Sequence, residues 1–153
     1  MIHYYTGNIS PDSGDVFVFG SNPEGRHGAG AALVAVKQFG AKYGCGEGLR
    51  GFSYAIPTKD LRVKENGGYR SIPPKRITES IRKMYEVARG YPGIRFCIAY
   101  RNTDKRSLNG YTGYEMIQMF IDAGPIPDNV YVSEEWFNTG LFDAPGDNTL
   151  FDI

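Results

Sequence analysis

An α/β domain in three layers, with a mixed, largely parallel central sheet between helices, is the fold class this sequence predicts. Three observations carry that prediction. After Asp15 comes an unbroken apolar run, Val16-Phe17-Val18-Phe19, of the kind found in a strand buried on both faces. Short apolar or alternating runs then alternate with helix-period patterns along the chain, the sequence mark of strand–helix–strand units. Finally, two of the helical patterns follow glycine-rich loops, as crossover connections do. With 153 residues and no repeat or linker, the chain reads as one domain over residues 1–153.

Taken in order, Ile2 to Tyr5 is a strand, closed by Gly7-Asn8 and the turn-rich Ser10-Pro11-Asp12-Ser13-Gly14. The 16–19 strand empties into a polar loop, Gly20 to Gly30. Ala32, Leu33, Val36 and Phe39 then lie on one helical stripe. Gly40 and the Gly44-Cys45-Gly46-Glu47-Gly48 run end that helix in a flexible loop. Phe52 to Ile56 is a strand stopped at Pro57, and residues 58–71 form a charged surface excursion. Pro73-Pro74 opens a second helix with Ile77, Ile81, Tyr85 and Ala88 on one face and Gly90 beyond its end. Ile94 to Ala99 is a strand, and 101–112 a basic polar loop. Gly113-Tyr114 leads into a short helix bearing Ile117 and Ile121. Val130-Tyr131-Val132 is the last strand, with an irregular tail from Asn138.

Composition narrows the function classes. Lysine plus arginine and aspartate plus glutamate both number 17, so the formal net charge is zero, which argues against a general nucleic-acid binder. Cys45 and Cys97 are too few for a disulfide framework, show no metal-ligand spacing, and predict no metal site and no cofactor. Cys97, inside an apolar run, reads as core. No signal peptide or membrane-length apolar run is seen, so a soluble, cytoplasmic protein with no membrane partner is expected.

The loop from Gly20 to Gly30 is the predicted functional centre. A buried strand that leads through glycines into a helix N-terminus offers free N–H groups and a favourable dipole to an anion. Gly28, Ala29 and Gly30 are small enough for backbone to approach a phosphate closely. A dinucleotide fingerprint fails on spacing, because Leu33 stands at its third glycine and the strand ends well before Gly28. A phosphate loop of the Gly-Lys-Ser/Thr type is missing its lysine.

Four stretches, in order, resemble the macrodomain family, whose members bind ADP-ribose and related metabolites. Gly7-Asn8-Ile9-Ser10 is similar to the family's Gly-Asp-Ile-Thr, which places Asn8 and Ile9 near an adenine. Asp15 to Asn22 lines up without gaps on Asp-Ala-Ile-Val-Asn-Ala-Ala-Asn, so Ser21 adjoins the site and Asn22 faces the distal ribose. Arg26 to Ala32 resembles the loop and helix start that wrap the diphosphate. Leu108-Asn109-Gly110-Tyr111-Thr112-Gly113-Tyr114 resembles the second phosphate loop, which implies that Asn109, Gly110, Tyr111, Thr112, Gly113 and Tyr114 contact ligand. Phe19 and Thr112 depart from the family's asparagine and aromatic, and Asn8 from its aspartate.

The resemblance implies a macrodomain-like fold and a small-molecule ADP-ribose derivative as partner, with nucleic acid entering only as an ADP-ribosylated substrate. The small stand-alone phosphatases of this fold, some encoded by bacteriophages, imply removal of the terminal phosphate from ADP-ribose 1″-phosphate, in a host cytoplasm if so encoded. His27 is the expected catalytic group, since imidazole can protonate a leaving oxygen or attack phosphorus; a local hydrogen bond is the plainer alternative. Asn22 would orient a ribose hydroxyl or water, or simply form a turn before Pro23. Thr58-Lys59 resembles the branch that removes ADP-ribose from protein or DNA, so Lys59 is a second catalytic candidate, against a solvated surface lysine. A non-catalytic ADP-ribose reader is the third possibility.

Overall fold

The computed structural model describes residues 2–142. Six strands form one sheet: β1 (His3–Tyr5), β2 (Val16–Ser21), β3 (Gly48–Arg50), β4 (Ser53–Pro57), β5 (Phe96–Ile98) and β6 (Val130–Ser133). Four helices accompany them: α1 (Gly30–Gln38), α2 (Pro74–Arg89), α3 (Gly113–Asp122) and α4 (Glu134–Phe137). The strand order is β1-β6-β5-β2-β4-β3. Every neighbouring pair is parallel except β3 with β4. The sheet is therefore mixed and mostly parallel, as the sequence predicts.

Alternation along β2 divides the core. Phe17 and Phe19 pack with Ala32, Ala35 and Phe39 from α1 and its end. Phe17 stacks on Phe39 with ring centroids 4.5 Å apart. Val16 and Val18 join a larger cluster with Ile77, Ile81, Met84 and Tyr85 of α2 and Met116, Ile117 and Phe120 of α3. Helices thus cover both faces, which is why β2 reads as uniformly apolar. In α1, alanine faces the sheet: Ala35 is fully buried, whereas Leu33 is only half-buried. Cys97 is buried as expected, and burial first, then the Asp15 carboxylate, pushes its thiol up to about 12. That thiol stays protonated.

Two elements differ from the sequence reading. Gly48, expected to end a flexible loop, instead begins β3, a three-residue edge strand against β4 that the sequence reading lacks. Its glycine-rich flanks, Gly48 and Gly51 at positive φ, hide it from any pattern of alternation. Ser133 accepts from the Trp136 N–H at 3.2 Å and caps α4, a single turn that buries Trp136. The residues expected to be irregular from Asn138 are in turns or unstructured to 142; the rest of that tail lies outside the described residues. No helix among the described residues is long and apolar enough to cross a membrane.

Candidate functional site

The C-terminal ends of β2, β4 and β5 open into one cleft of about 700 Å³. Its place follows from topology. From β2 the chain continues through α1 towards β3 and β4 on one side; from β5 it continues through α3 to β6 on the other. A crevice outside strand ends where connections diverge is the standard ligand position of open α/β sheets.

The first wall is the loop from Ser21 to Ala29 with the start of α1. Asn22 closes a ring on itself: its Oδ1 accepts the Arg26 N–H at 2.8 Å and its Nδ2 donates to the Arg26 carbonyl at 2.9 Å. The side chain lines the cleft, but both its polar atoms are engaged in shaping the loop. Gly25, at φ +69°, lies against the backbone of Gly44 and Cys45, so the 22–26 ring is packed onto the 44–46 loop without room for a Cβ. The Ser21 hydroxyl, also in the cleft wall, donates to the Gly46 carbonyl. Gly28 and Ala29 line the cleft, and Gly30, at φ +57°, begins α1. Ala29 is the N-cap and supplies no side-chain cap. The first N–H groups of α1 are left for solvent or ligand beside Ala31 and Ala32, which line the cleft. Nothing lies within 4 Å of where a Cβ on Gly28 would stand, so protein packing does not demand a glycine there.

His27 stands apart from the cleft lining. It is 2% exposed, its Nε2 hydrogen-bonds the Cys45 carbonyl at 3.0 Å, and its ring meets Phe19 edge-on at 5.4 Å. The residue expected to react thus lies outside the cleft lining, bridging two loops through Nε2, while its buried Nδ1 has no partner among the described residues. A glycine-rich loop has no periodicity, so nothing in the sequence fixes which way its one imidazole turns.

The second wall comes from Ser107, Leu108 and Asn109, upstream of most of the residues the resemblance implied. Leu108 reaches to within 3.8 Å of where a Gly30 Cβ would be, so the two loops do face each other. The Ser107 hydroxyl is buried with no partner among the described residues. Gly110 through Tyr114 do other work. Gly110, at φ +88°, packs on Tyr69 and Arg70. Tyr111 is 2% exposed and its hydroxyl donates to the Ile72 carbonyl at 2.6 Å, which makes it core and not a ligand wall. Thr112 caps α3 in a reciprocal box with Glu115. Gly113 packs against the backbone of Asn102 and Thr103, and Tyr114 is exposed outside the cleft lining. Asn8 is exposed and Ile9 half-buried, again outside the lining; Arg101 joins this segment to the cleft by donating to the Gly7 carbonyl.

Lys59 does line the cleft, with its Nζ 5.6 Å from the centre of the Tyr69 ring. Arg26 and Arg101 line it too, and no aspartate or glutamate does among the described residues. Neither Lys59 nor Arg26 has a carboxylate partner among those residues. The nearby acids are used elsewhere: Glu24 accepts the Leu61 N–H and pairs with Arg62, and the Arg62 guanidinium holds the Asp60 carboxyl below its ordinary range. Sequence reasoning missed Tyr43, 66% exposed at the cleft, and Tyr100 on its floor. Tyr100's place directly after a parallel strand was the available signal. No three His, Cys, Asp or Glu side chains gather to hold a metal among the described residues. Compared with known protein families, with curated proteins and with solved structures, the chain matches none.

Proposed function

We propose that this cleft binds the diphosphate of an ADP-ribose derivative and that the chain removes the terminal phosphate from ADP-ribose 1″-phosphate, within a three-layer macrodomain-like arrangement. One observation carries the ligand class. Arg26 and Lys59, neither with a carboxylate partner among the described residues, line the cleft together with Arg101, which pairs with Glu135 at 3.8 Å, and an uncapped helix N-terminus opens into the same cleft, in a chain whose net charge is zero. Such a concentration of positive potential favours an anion with several charged oxygens. The orphaned Ser107 hydroxyl and the sterically unneeded Gly28 support the same reading. The cleft is also large enough for a nucleotide-sized ligand.

The reaction is one of charge stabilisation. Water attacks the terminal phosphorus, a new P–O bond forms, and the bond from phosphorus to the sugar oxygen breaks, with the water proton passing to that oxygen or to solvent. Arg26, Lys59 and the α1 N–H groups stabilise the phosphoryl oxygens during transfer. His27 braces the loop from outside the cleft lining. The test is phosphate release from ADP-ribose 1″-phosphate by wild type and by His27→Gln, which keeps a donor for the Cys45 carbonyl. Wild-type release with turnover in the variant reduced less than about tenfold is expected. A loss of about 10²- to 10⁴-fold, the size of general acid–base catalysis, would put the imidazole in the reaction.

Lys59, which lines the cleft with no carboxylate partner among the described residues, favours a second reading, hydrolysis of ADP-ribose from a modified protein or nucleic-acid end. An ADP-ribosylated substrate losing its label with wild type but not with Lys59→Ala, and no phosphate release from the 1″-phosphate, would select it.

A further inference from the structure

We infer that the Tyr100 hydroxyl is a ligand-binding hydrogen-bond donor on the cleft floor, and that Asn109 is the positioning residue that aims it. The inference rests on the anion-binding reading of the cleft and names a contact within it.

The direction of each bond can be worked out from the backbone. The Tyr111 N–H donates to Asn109 Oδ1 at 2.9 Å. A backbone N–H can only donate, so the Asn109 amide has one orientation and its NH₂ points the other way. Asn109 is 3% exposed, and its Nδ2 lies 3.3 Å from the Tyr100 hydroxyl oxygen and 3.6 Å from the Met116 sulfur. Tyr100 must therefore accept from Asn109, which turns its own proton away from that side. The other neighbour is the Thr58 hydroxyl, at a long 3.3 Å. Thr58 and Tyr100 both line the cleft, so a stronger acceptor arriving there can take the phenol proton.

Two further features fit this role. Burial raises the Tyr100 phenol above its ordinary range, so at neutral pH it is an O–H donor and adds no negative charge to a cationic site. Gly20 sits in β2, where a glycine weakens a strand. A Cβ at Gly20 would overlap the Tyr100 hydroxyl oxygen and come within 2.9 Å of its Cζ. The missing side chain is what lets the phenol reach the end of β2. Behind it, the ring stacks on Trp136 at 5.9 Å with planes 8° apart, which fixes the approach.

The experiment is calorimetry of the full chain with two probes, ADP-ribose and inorganic pyrophosphate. Tyr100→Phe is expected to weaken binding of at least one of the probes that wild type binds by about 10- to 100-fold, the size of a hydrogen bond to a charged group. Unchanged emission from Trp136, the one tryptophan, shows that the ring stack survives. Asn109→Asp replaces the donor with an acceptor that captures the phenol proton. Its loss should therefore shrink several-fold when measured in the Tyr100→Phe background. Additive losses overturn the positioning role. Binding by Tyr100→Phe within twofold of wild type for every probe that wild type binds overturns the donor. Wild type that binds pyrophosphate but not ADP-ribose overturns the proposed function while the Tyr100 comparison proceeds with pyrophosphate; wild type that binds neither overturns both.

Discussion

Gly113→Ala is expected to destabilise the fold by about 3–5 kcal/mol, an effect at the extreme of single substitutions. A Cβ at this first residue of α3 would overlap the Asn102 carbonyl and lie 2.6 Å from Thr103 Cα. Both neighbours are backbone, so no side chain can rotate away. The Asn102 carbonyl also accepts the Trp136 indole N–H at 2.7 Å, and the Thr103 carbonyl accepts the Tyr114 N–H at 2.9 Å. Moving the 102–103 segment to make room therefore strains at least one of these bonds, of which that of Trp136 is part-buried, adding about 1 kcal/mol to the overpacking cost. Denaturant titration measures the change. Gly93→Ala is the matched comparison, because a Cβ there meets nothing within 4 Å, and its midpoint should stay near wild type.

The second large effect is on ligand. Arg26→Ala together with Lys59→Ala should weaken ADP-ribose binding by about 10²- to 10⁴-fold, taking about 1.5–3 kcal/mol for each charge-assisted hydrogen bond removed. Neither side chain has a carboxylate partner among the described residues, so the double variant leaves no buried charge behind and should unfold as wild type does. Salt gives an independent check: wild-type affinity falls as ionic strength rises, and that of the variant falls much less steeply. Equal affinity in the two proteins would remove the cationic wall from the site.

Much of the fold was legible because burial leaves a pattern. The unbroken apolar run of β2 comes from helices on both faces, and the long stripe of α2, from Ile77 to Ala88, faces the sheet and α3. The β3 strand leaves no pattern because Gly48-Leu49-Arg50 holds a single apolar residue between glycines, and the one turn of α4 is too short for a helical period to emerge. At the site, Gly28, Ala29 and Asn109 do line one cleft, but Gly110 through Tyr114, read as the second phosphate loop, lie outside its lining. Tyr111 looks like a ligand wall beside glycines; it turns inward because its hydroxyl finds the Ile72 carbonyl. His27 turns inward because the Cys45 carbonyl, 18 residues on, offers a partner under the loop. Both choices are set by contacts distant in sequence. Tyr43, Tyr100 and Arg26 carry the cleft's aromatic and cationic character through strand ends and loops that no local pattern connects.

Amide chemical shifts recorded while ADP-ribose is titrated into the ¹⁵N-labelled chain bear most directly on how this cleft is used. The largest changes should fall on the backbone N–H groups of Gly28 through Ala32, where a diphosphate would meet the uncapped start of α1, with a second set at Ser107 to Asn109. Shifts confined to the groove between α2 and α3, or none at saturating nucleotide, would contradict the assignment.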